Sequence, residues 1–405
     1  MARTGGIDRS DRKDAIVAAA DRARPGLEAL SLRIHAHPEL ALQERQAAGW
    51  LSDHLESAGF AVEHGAAGLE TAFVGRYRGG AGPRIALFAE YDALPGIGHG
   101  CGHNIIGASA VGAAIALKDA WPDLPGEIVV FGSPAEEADG GKIDIIQVGL
   151  LNGIAAAMMV HPGVRNDVEA RLIAMLDVIV EYHGKASHAS SKPEDGINAL
   201  DALVTAYASI AALRQHIRSD ARIHGIITDG GKAPNVVPDY ASGRFYIRAR
   251  DDQYLDTLLE RVLGCFRAGA EATGARMEYS FPTRRFSAIR NNPTLIELFR
   301  ANYRLLGREE SPPDAARGTG SSDMGNVSRV VPSIHPAVAI APLGMAGHSI
   351  EFAQAAGSPK GMDGLADAAK AMALTVADLL LDPDALARAA EEFDMGERRQ
   401  HGDEA

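Results

Sequence analysis

Apolar residues recur at helical spacing through DAIVAAADRARPGLEALSLRIHAHPEL, residues 14–40, which predicts a long amphipathic helix broken at Pro25. ERQAAGWLSDHLESAGF, residues 44–60, predicts a second helix that stops at Gly59. The period then shortens. TAFVGRY (71–77) and RIALFAEYDALPG (84–96) read as strands, the latter so continuously apolar that it belongs in the middle of a sheet. IIGASAVGAAIALKDAW (105–121) predicts a buried helix rich in small residues. GEIVVFGSPAEE (126–137) predicts another central strand, and AAAMMVHP (155–162) a short strand ending in His-Pro. Such alternation predicts an α/β, largely parallel sheet, whose ligands gather at the carboxyl ends of the strands. Asp92, Glu136, Glu137 and His161 all fall just past strand ends.

The middle of the chain has another rhythm. Strands are expected within 171–184, 222–231, 240–250 and 276–281, and helices within 196–217 and 253–274. This order is βαββαβ, the ferredoxin-like pattern, in a segment large enough to fold as its own small domain. The α/β pattern resumes with NNPTLIELFRANYRLLG (291–307) and closes on GLADAAKAMALTVADLLL (364–381), so the small domain is an insertion. The polar end, GERRQHGDEA, is expected to fray.

Composition narrows the function classes. With 405 residues, 46% apolar and 23% charged, the chain is expected to form a globular protein of two domains. A net charge of −13 and the lack of a basic aromatic stripe speak against nucleic-acid binding. The opening MARTGGIDRSDRKDAIV has no apolar core of a signal peptide, and no apolar run reaches membrane-spanning length. A cytoplasmic setting without membrane association is therefore expected. Cys101 and Cys265, the two cysteines, form no disulfide framework, which leaves Cys101 a free thiol or a ligand.

The candidate chemistry centres on HGCGHN, residues 99–104. Alone it admits a disulfide half, a metal site, a phosphate loop or a glycine turn with polar filler. Glu136 and Glu137 follow an apolar strand and a Ser-Pro turn, so a solvated helix face does not explain them. Two carboxylates in one cleft repel unless a cation is near, and one can bind metal while the other takes a proton. With His161 and His348, the thiolate, imidazoles and carboxylate are donors that zinc and its neighbours prefer, and five suffice for two ions with open positions. Cys265 lies in an apolar helix stripe and reads as core. Arg244 and Arg248 read as a solvated strand face, with a substrate carboxylate as the alternative.

HAHPEL, EYDALPG, HGCGHN, AEE, MMVHP, HGKASHAS, APNVVPDYA, GSSDMGNVS and HSIEF occur in that order, across about residues 30–380. Together they resemble the aminoacylase–carboxypeptidase family of dinuclear metallohydrolases. The likeness is greatest to its amidohydrolase branch, which holds hippurate hydrolase, indole-acetyl-amino-acid hydrolases, aminobenzoyl-glutamate hydrolase and β-alanyl-lysine-type dipeptidases. The resemblance implies a zinc-peptidase-like catalytic domain, residues 1–175 and 285–405, with an inserted ferredoxin-like lid and dimerisation domain, residues 176–284. It implies that Cys101, His103, Glu137, His161 and His348 are metal ligands and Glu136 the general base. Asp92 would orient a histidine ligand, with His99 in a supporting or a turn role. His188 would reach across a homodimer to stabilise an oxyanion, and Asn235 would contact substrate.

Much of the wider family carries His-x-Asp on the first strand, where this chain has Glu90. The branch also lacks that histidine, so Cys101 is required for the ligand count to close. Zinc or manganese is the expected metal, with cobalt and nickel compatible with the same donors. The implied reaction is hydrolysis of an amide in an N-acyl amino acid, aminobenzoyl-glutamate-like or dipeptide substrate. Hydrolytic removal of an amino or carbamoyl group on the same dinuclear site is the alternative, and a non-catalytic metal-stabilised binding protein is a weaker one.

Overall fold

The computed structural model describes residues 9–312 and 320–401. The chain divides into two compact units. One comprises Met1–Arg171, Ile289–Gly318 and Asn326–Ala405, the other Leu172–Ala288 and Thr319–Gly325.

The first unit opens with α1 (Arg9–Ala36) and α2 (Arg45–Ser57), followed by β1 (Ala61–His64), β2 (Phe73–Arg78) and β3 (Arg84–Ala89). Next come α3 (His103–Ala120), β4 (Glu127–Gly132), α4 (Gly141–Gln147), β5 (Ile154–Met158) and β6 (His161–Gly163). The second unit supplies β7 (Ala174–His183), α5 (Ala199–Leu213), β8 (Arg222–Asp229), β9 (Tyr240–Ala249), α6 (Asp252–Thr273) and β10 (Arg276–Ser280). The chain ends with α7 (Pro293–Leu305), α8 (Met324–Val327), β11 (Ser333–Ile334), β12 (Ala337–Ala339), α9 (Ile350–Ala356), α10 (Pro359–Leu381) and α11 (Pro383–His401).

Six strands of the first unit form a sheet in the order β1-β2-β4-β3-β5-β11. β4, β3, β5 and β11 run parallel, while β2 and β1 add an antiparallel edge. The central strands are buried almost end to end, as their unbroken apolar runs require. α3 is buried from His103 to Leu117, and its small residues let α1 and α10 pack closely on it. Leu27 of α1, for example, lies where a side chain on Gly112 would stand.

Two expectations are corrected here. α1 runs through Pro25 without a break. A proline inside a helix costs about 3 kcal/mol. Buried Ile16 before it and Leu27, Leu30 and Ile34 after it pin both halves to the same core, and that burial outweighs the lost hydrogen bond. The polar end does not fray at Gly396, because α11 continues to His401. The helix is anchored upstream, where Asn292 Nδ2 donates to the Ala389 carbonyl and the Thr294 amide to Glu392. Residues 402–405 lie outside the described residues.

In the second unit, four antiparallel strands take the order β10-β7-β9-β8, with α5 and α6 packed on one face. This is the ferredoxin-like βαββαβ order read from the sequence. α6 is capped at its start by Asp251, whose side chain accepts from the Tyr254 amide, and at its end by Gly274 in a left-handed conformation. Cys265 packs against this unit's core, as its apolar stripe predicts. Arg244 is paired with the buried Asp177 through its Nε, at 3.0 Å, so it is not simply a solvated face.

Candidate metal centre

Three parallel strands deliver the candidate donors to one edge of the first unit's sheet. Asp92 follows β3, Glu136 and Glu137 follow β4, and His161 follows β5. The HGCGHN loop closes onto this edge. Gly102 has φ +80°, and a Cβ there would meet Pro162 Cγ at 2.5 Å. Glycine thus lets the loop lie against Pro162, next to His161, before His103 opens α3. His348 is also held in a left-handed conformation, φ 55°, with its amide donating to the Gly100 carbonyl at 3.0 Å.

The donor atoms converge. Those of Cys101, His103 and His161 lie within 4.8 Å of one another, as do those of Cys101, Glu137 and His348, and those of His103, Glu136 and Glu137. Cys101 Sγ is 3.4 Å from His161 Nε2, and Glu137 Oε1 is 3.3 Å from His348 Nε2. Each buried imidazole has its other nitrogen engaged. His103 Nδ1–H donates to Asp92 Oδ1 at 2.9 Å, and His161 Nδ1–H donates to the Pro162 carbonyl at 2.6 Å. That fixes the tautomers and turns both Nε2 lone pairs toward the cluster. Asp92 does double duty, since its Oδ2 accepts the Glu137 amide at 2.9 Å.

The electrostatics call for a cation. His103 Nε2 is buried with no hydrogen-bond partner, and Glu137 Oε1 has the His348 imidazole 3.3 Å away. Burial pushes the Cys101 thiol upward, and the charge of Glu137 adds to it. Burial would lower His103, but the charge of Asp92 prevails and raises it well above the usual histidine range. The imidazole of His161 is pushed down by burial and by His103. A divalent ion among these atoms would reverse the sign for the thiol and take the place of the extra proton on His103. Thiolate, imidazole and carboxylate are the donors such ions select, so the residues present fit the metal centre that the resemblance implies.

His99 is 2% exposed and stacks on His35 with ring centroids 6.1 Å apart. Both rings line a cavity of about 520 Å³ with Pro38, Leu40, Leu94 and Ile97. His188 and Asn235 belong to the second unit and come together there. His188 bridges Val236, and the Ala189 amide donates to the Asn235 carbonyl at 3.0 Å. The amides of Ser190 and Ser191 donate to His188 Nδ1, each at 3.3 Å, so its proton sits on Nε2.

Three features went unread in the sequence. Glu90 and Lys142 form a wholly buried ion pair, and the other Glu90 oxygen lies 3.7 Å from His103 Nε2. Lys142 follows two glycines in a polar stretch, which carries no burial signal. His335 is 6% exposed, with its ring centroid 5.6 Å from that of His161. Its segment, VVPSIHP, repeats the apolar run ending in His-Pro that marked His161, so that signal was present. Glu44, the third, is buried behind the loop carrying Glu136.

Comparison with known proteins places this geometry among relatives. Residues 174–273 match the peptidase dimerisation domain family. The chain is 39% identical to the Xaa-Arg dipeptidase of Mus musculus over 389 residues, covering 92% of this chain and 90% of that protein. It is 33% identical to a p-aminobenzoyl-glutamate hydrolase of Escherichia coli strain K12, over 60% of this chain and 55% of that protein. Among solved structures, a Bacillus subtilis protein described as a dinuclear metal-binding peptidase of the M20 family superposes with a TM-score of 0.66. That match has 21% identity and covers 88% of this chain and 99% of that one. No helix among the described residues is long and apolar enough to cross a membrane.

Proposed function

The chain belongs to the M20 peptidase family, and from that premise we propose that it is a metal-dependent hydrolase of amide bonds in dipeptides or N-acyl amino acids, with Glu136 as its general base. The observation that carries the reading is the convergence of six side chains from four segments, with two buried Nε2 atoms directed into the cluster. Cys101, His103, Glu137, His161 and His348 would hold two divalent cations. Zinc or manganese suits them best, and cobalt or nickel is compatible. Such ions supply an acidified water and a polarised carbonyl.

The protein's own part follows from its geometry. Asp92 keeps the proton of His103 on Nδ1 and fixes the Glu137 amide, so both donors are held before substrate arrives. A carboxylate oxygen of Glu136 takes one proton from water as its oxygen bonds the acyl carbon. The same proton passes to the amine nitrogen as the C–N bond breaks. His188, whose Nδ1 accepts two backbone amides, leaves Nε2–H free to donate to the oxyanion. We place it in trans across a homodimer formed through the matched dimerisation domain. Asn235, beside it, contacts substrate. A dipeptide with a basic residue is the favoured substrate, because the match to the Xaa-Arg dipeptidase covers both units. A cytoplasmic setting, which keeps the free Cys101 reduced, suits this site.

Glu136→Ala tests the reading on a panel of Xaa-Arg dipeptides, aminobenzoyl-glutamate and N-acyl amino acids. The expected result is wild-type metal content with turnover reduced by about 10²–10⁴-fold. Turnover near wild type would remove Glu136 from the chemistry. Mixing that variant with His188→Ala should restore about a quarter of wild-type activity through hybrid dimers. No restoration would place His188 outside the partner's site.

A further inference from the structure

Glu136 and Glu137 sit on a loop whose own sequence does little to fix its shape. The residue before them, Ala135, has φ 60°, a left-handed conformation that costs a non-glycine residue about 1–2 kcal/mol. Among the described residues only Leu42, Ala67, Ala135 and His348 combine a side chain with positive φ. Two of these four adjoin or belong to the candidate metal centre.

Something outside the loop must therefore hold Ala135. Its amide donates to Glu44 Oε1 at 2.9 Å. The other oxygen of Glu44 accepts from Thr71 Oγ1 at 3.0 Å, and the Thr71 carbonyl in turn accepts from Tyr91 Oη at 2.5 Å. Glu44, Thr71 and Tyr91 are buried, and Glu44 stands at the start of α2, 91 residues away in sequence. The rest of the loop is tied down in register. The Ser133 amide donates to the Ala89 carbonyl at 2.8 Å, and the Glu137 amide to Asp92 at 2.9 Å. The Gly140 amide returns to the Ala135 carbonyl at 2.8 Å. Amides at 135 and 137 are thus each held by a buried carboxylate, and Glu136 lies between them.

We propose that Glu44 is a positioning residue for the catalytic loop: by accepting the Ala135 amide it holds that residue in its left-handed conformation and so aims Glu136 and Glu137 at the metal centre. This rests on the roles of Glu136 and Glu137 proposed above. A carboxyl group suits the task because each of its two oxygens can meet one of the two groups that converge on it, the Ala135 amide and Thr71 Oγ1. Glutamine can meet the same demand, with its carbonyl taking the Ala135 amide and its NH₂ facing Thr71 Oγ1. Methionine fills the same space and offers no comparable acceptor.

The test compares Glu44→Met, Glu44→Gln and Glu44→Met combined with Ala135→Gly. Glu44→Met should lower kcat by about 10–100-fold with KM within about threefold, since sub-ångström misplacement of a catalytic group is felt mainly in turnover. Glu44→Gln should stay within about twofold of wild type. Glycine takes positive φ without steric penalty, so the double variant should recover a severalfold share of the lost kcat. If Glu44→Met does not fold, Thr71→Val frees one Glu44 oxygen and should show a smaller kcat loss at unchanged KM. A folded Glu44→Met with wild-type kcat would overturn the proposal. A loss that neither Gln nor Ala135→Gly relieves would overturn it as well, marking Glu44 as merely structural. Glu136→Gln measured in parallel separates the two readings. If it is inactive while Glu44→Met is fully active, only the positioning role fails; if it is active, the base assignment fails.

Discussion

Replacing Lys142 by methionine would leave the Glu90 carboxylate buried without its ammonium partner. Both side chains are 0% exposed, and Lys142 Nζ donates to Glu90 Oε1. The other oxygen, Oε2, has no hydrogen-bond partner and lies 3.7 Å from His103 Nε2. Removing one member of such a pair costs about 3–5 kcal/mol, because the remaining charge stays desolvated and uncompensated. Removing both for residues of similar volume is about neutral or stabilising. Lys142→Met alone should therefore lose about 3–5 kcal/mol, and Glu90→Met with Lys142→Met should regain most of it. At about 2–4 °C per kcal/mol for a unit of this size, the single variant should melt roughly 6–20 °C lower. The assay is thermal and urea unfolding of chelator-treated protein, so that ion occupancy near His103 does not enter. A loss below about 1 kcal/mol for Lys142→Met, or a double variant as unstable as the two singles summed, would refute the reasoning.

Asp92→Asn should weaken metal binding by about 10–100-fold in chelator competition, because the amide no longer selects the His103 tautomer. Unchanged affinity would detach Asp92 from His103. Cys101→Ser should lower the bound-metal stoichiometry found by elemental analysis, and an unchanged value would remove the thiol from the ligand set. Burial pushes Glu44 up from an ordinary 4.5 to about 7, against hydrogen bonds that favour its charged form. Below pH 4.5 the group is protonated both folded and unfolded; as pH rises to about 7 the unfolded chain releases its proton first, so the stability present at low pH is lost across that window. The metal-free wild type should thus lose stability relative to Glu44→Gln between those limits, and parallel urea-unfolding profiles would contradict it.

What the sequence made legible was whatever repeats a period or ends a strand. Unbroken apolar runs marked β3 and β4 as central, and the carboxyl ends of those strands carry Asp92, Glu136 and Glu137. The βαββαβ rhythm likewise matches the succession of elements in the second unit, whose strands pair in the order β10-β7-β9-β8. Pro25 misled because its local penalty is visible in the chain, whereas the burial of Leu27, Leu30 and Ile34 that overrides it is a tertiary fact. The supporting polar residues stayed hidden for the same reason. Glu44 and Lys142 look like surface charges in ERQAAGW and DGGKID, and only their partners at Ala135 and Glu90, 91 and 52 residues away, show them to be interior. A donor set can be read from residue types at strand ends because metal chemistry restricts those types. The struts beneath it cannot, because a buried carboxylate is defined by the amide or ammonium it meets. In this protein the residues that hold Glu136 and Glu137 in place are therefore found by following unsatisfied backbone groups outward from the loop, and that path leads from Ala135 to Glu44 and Thr71.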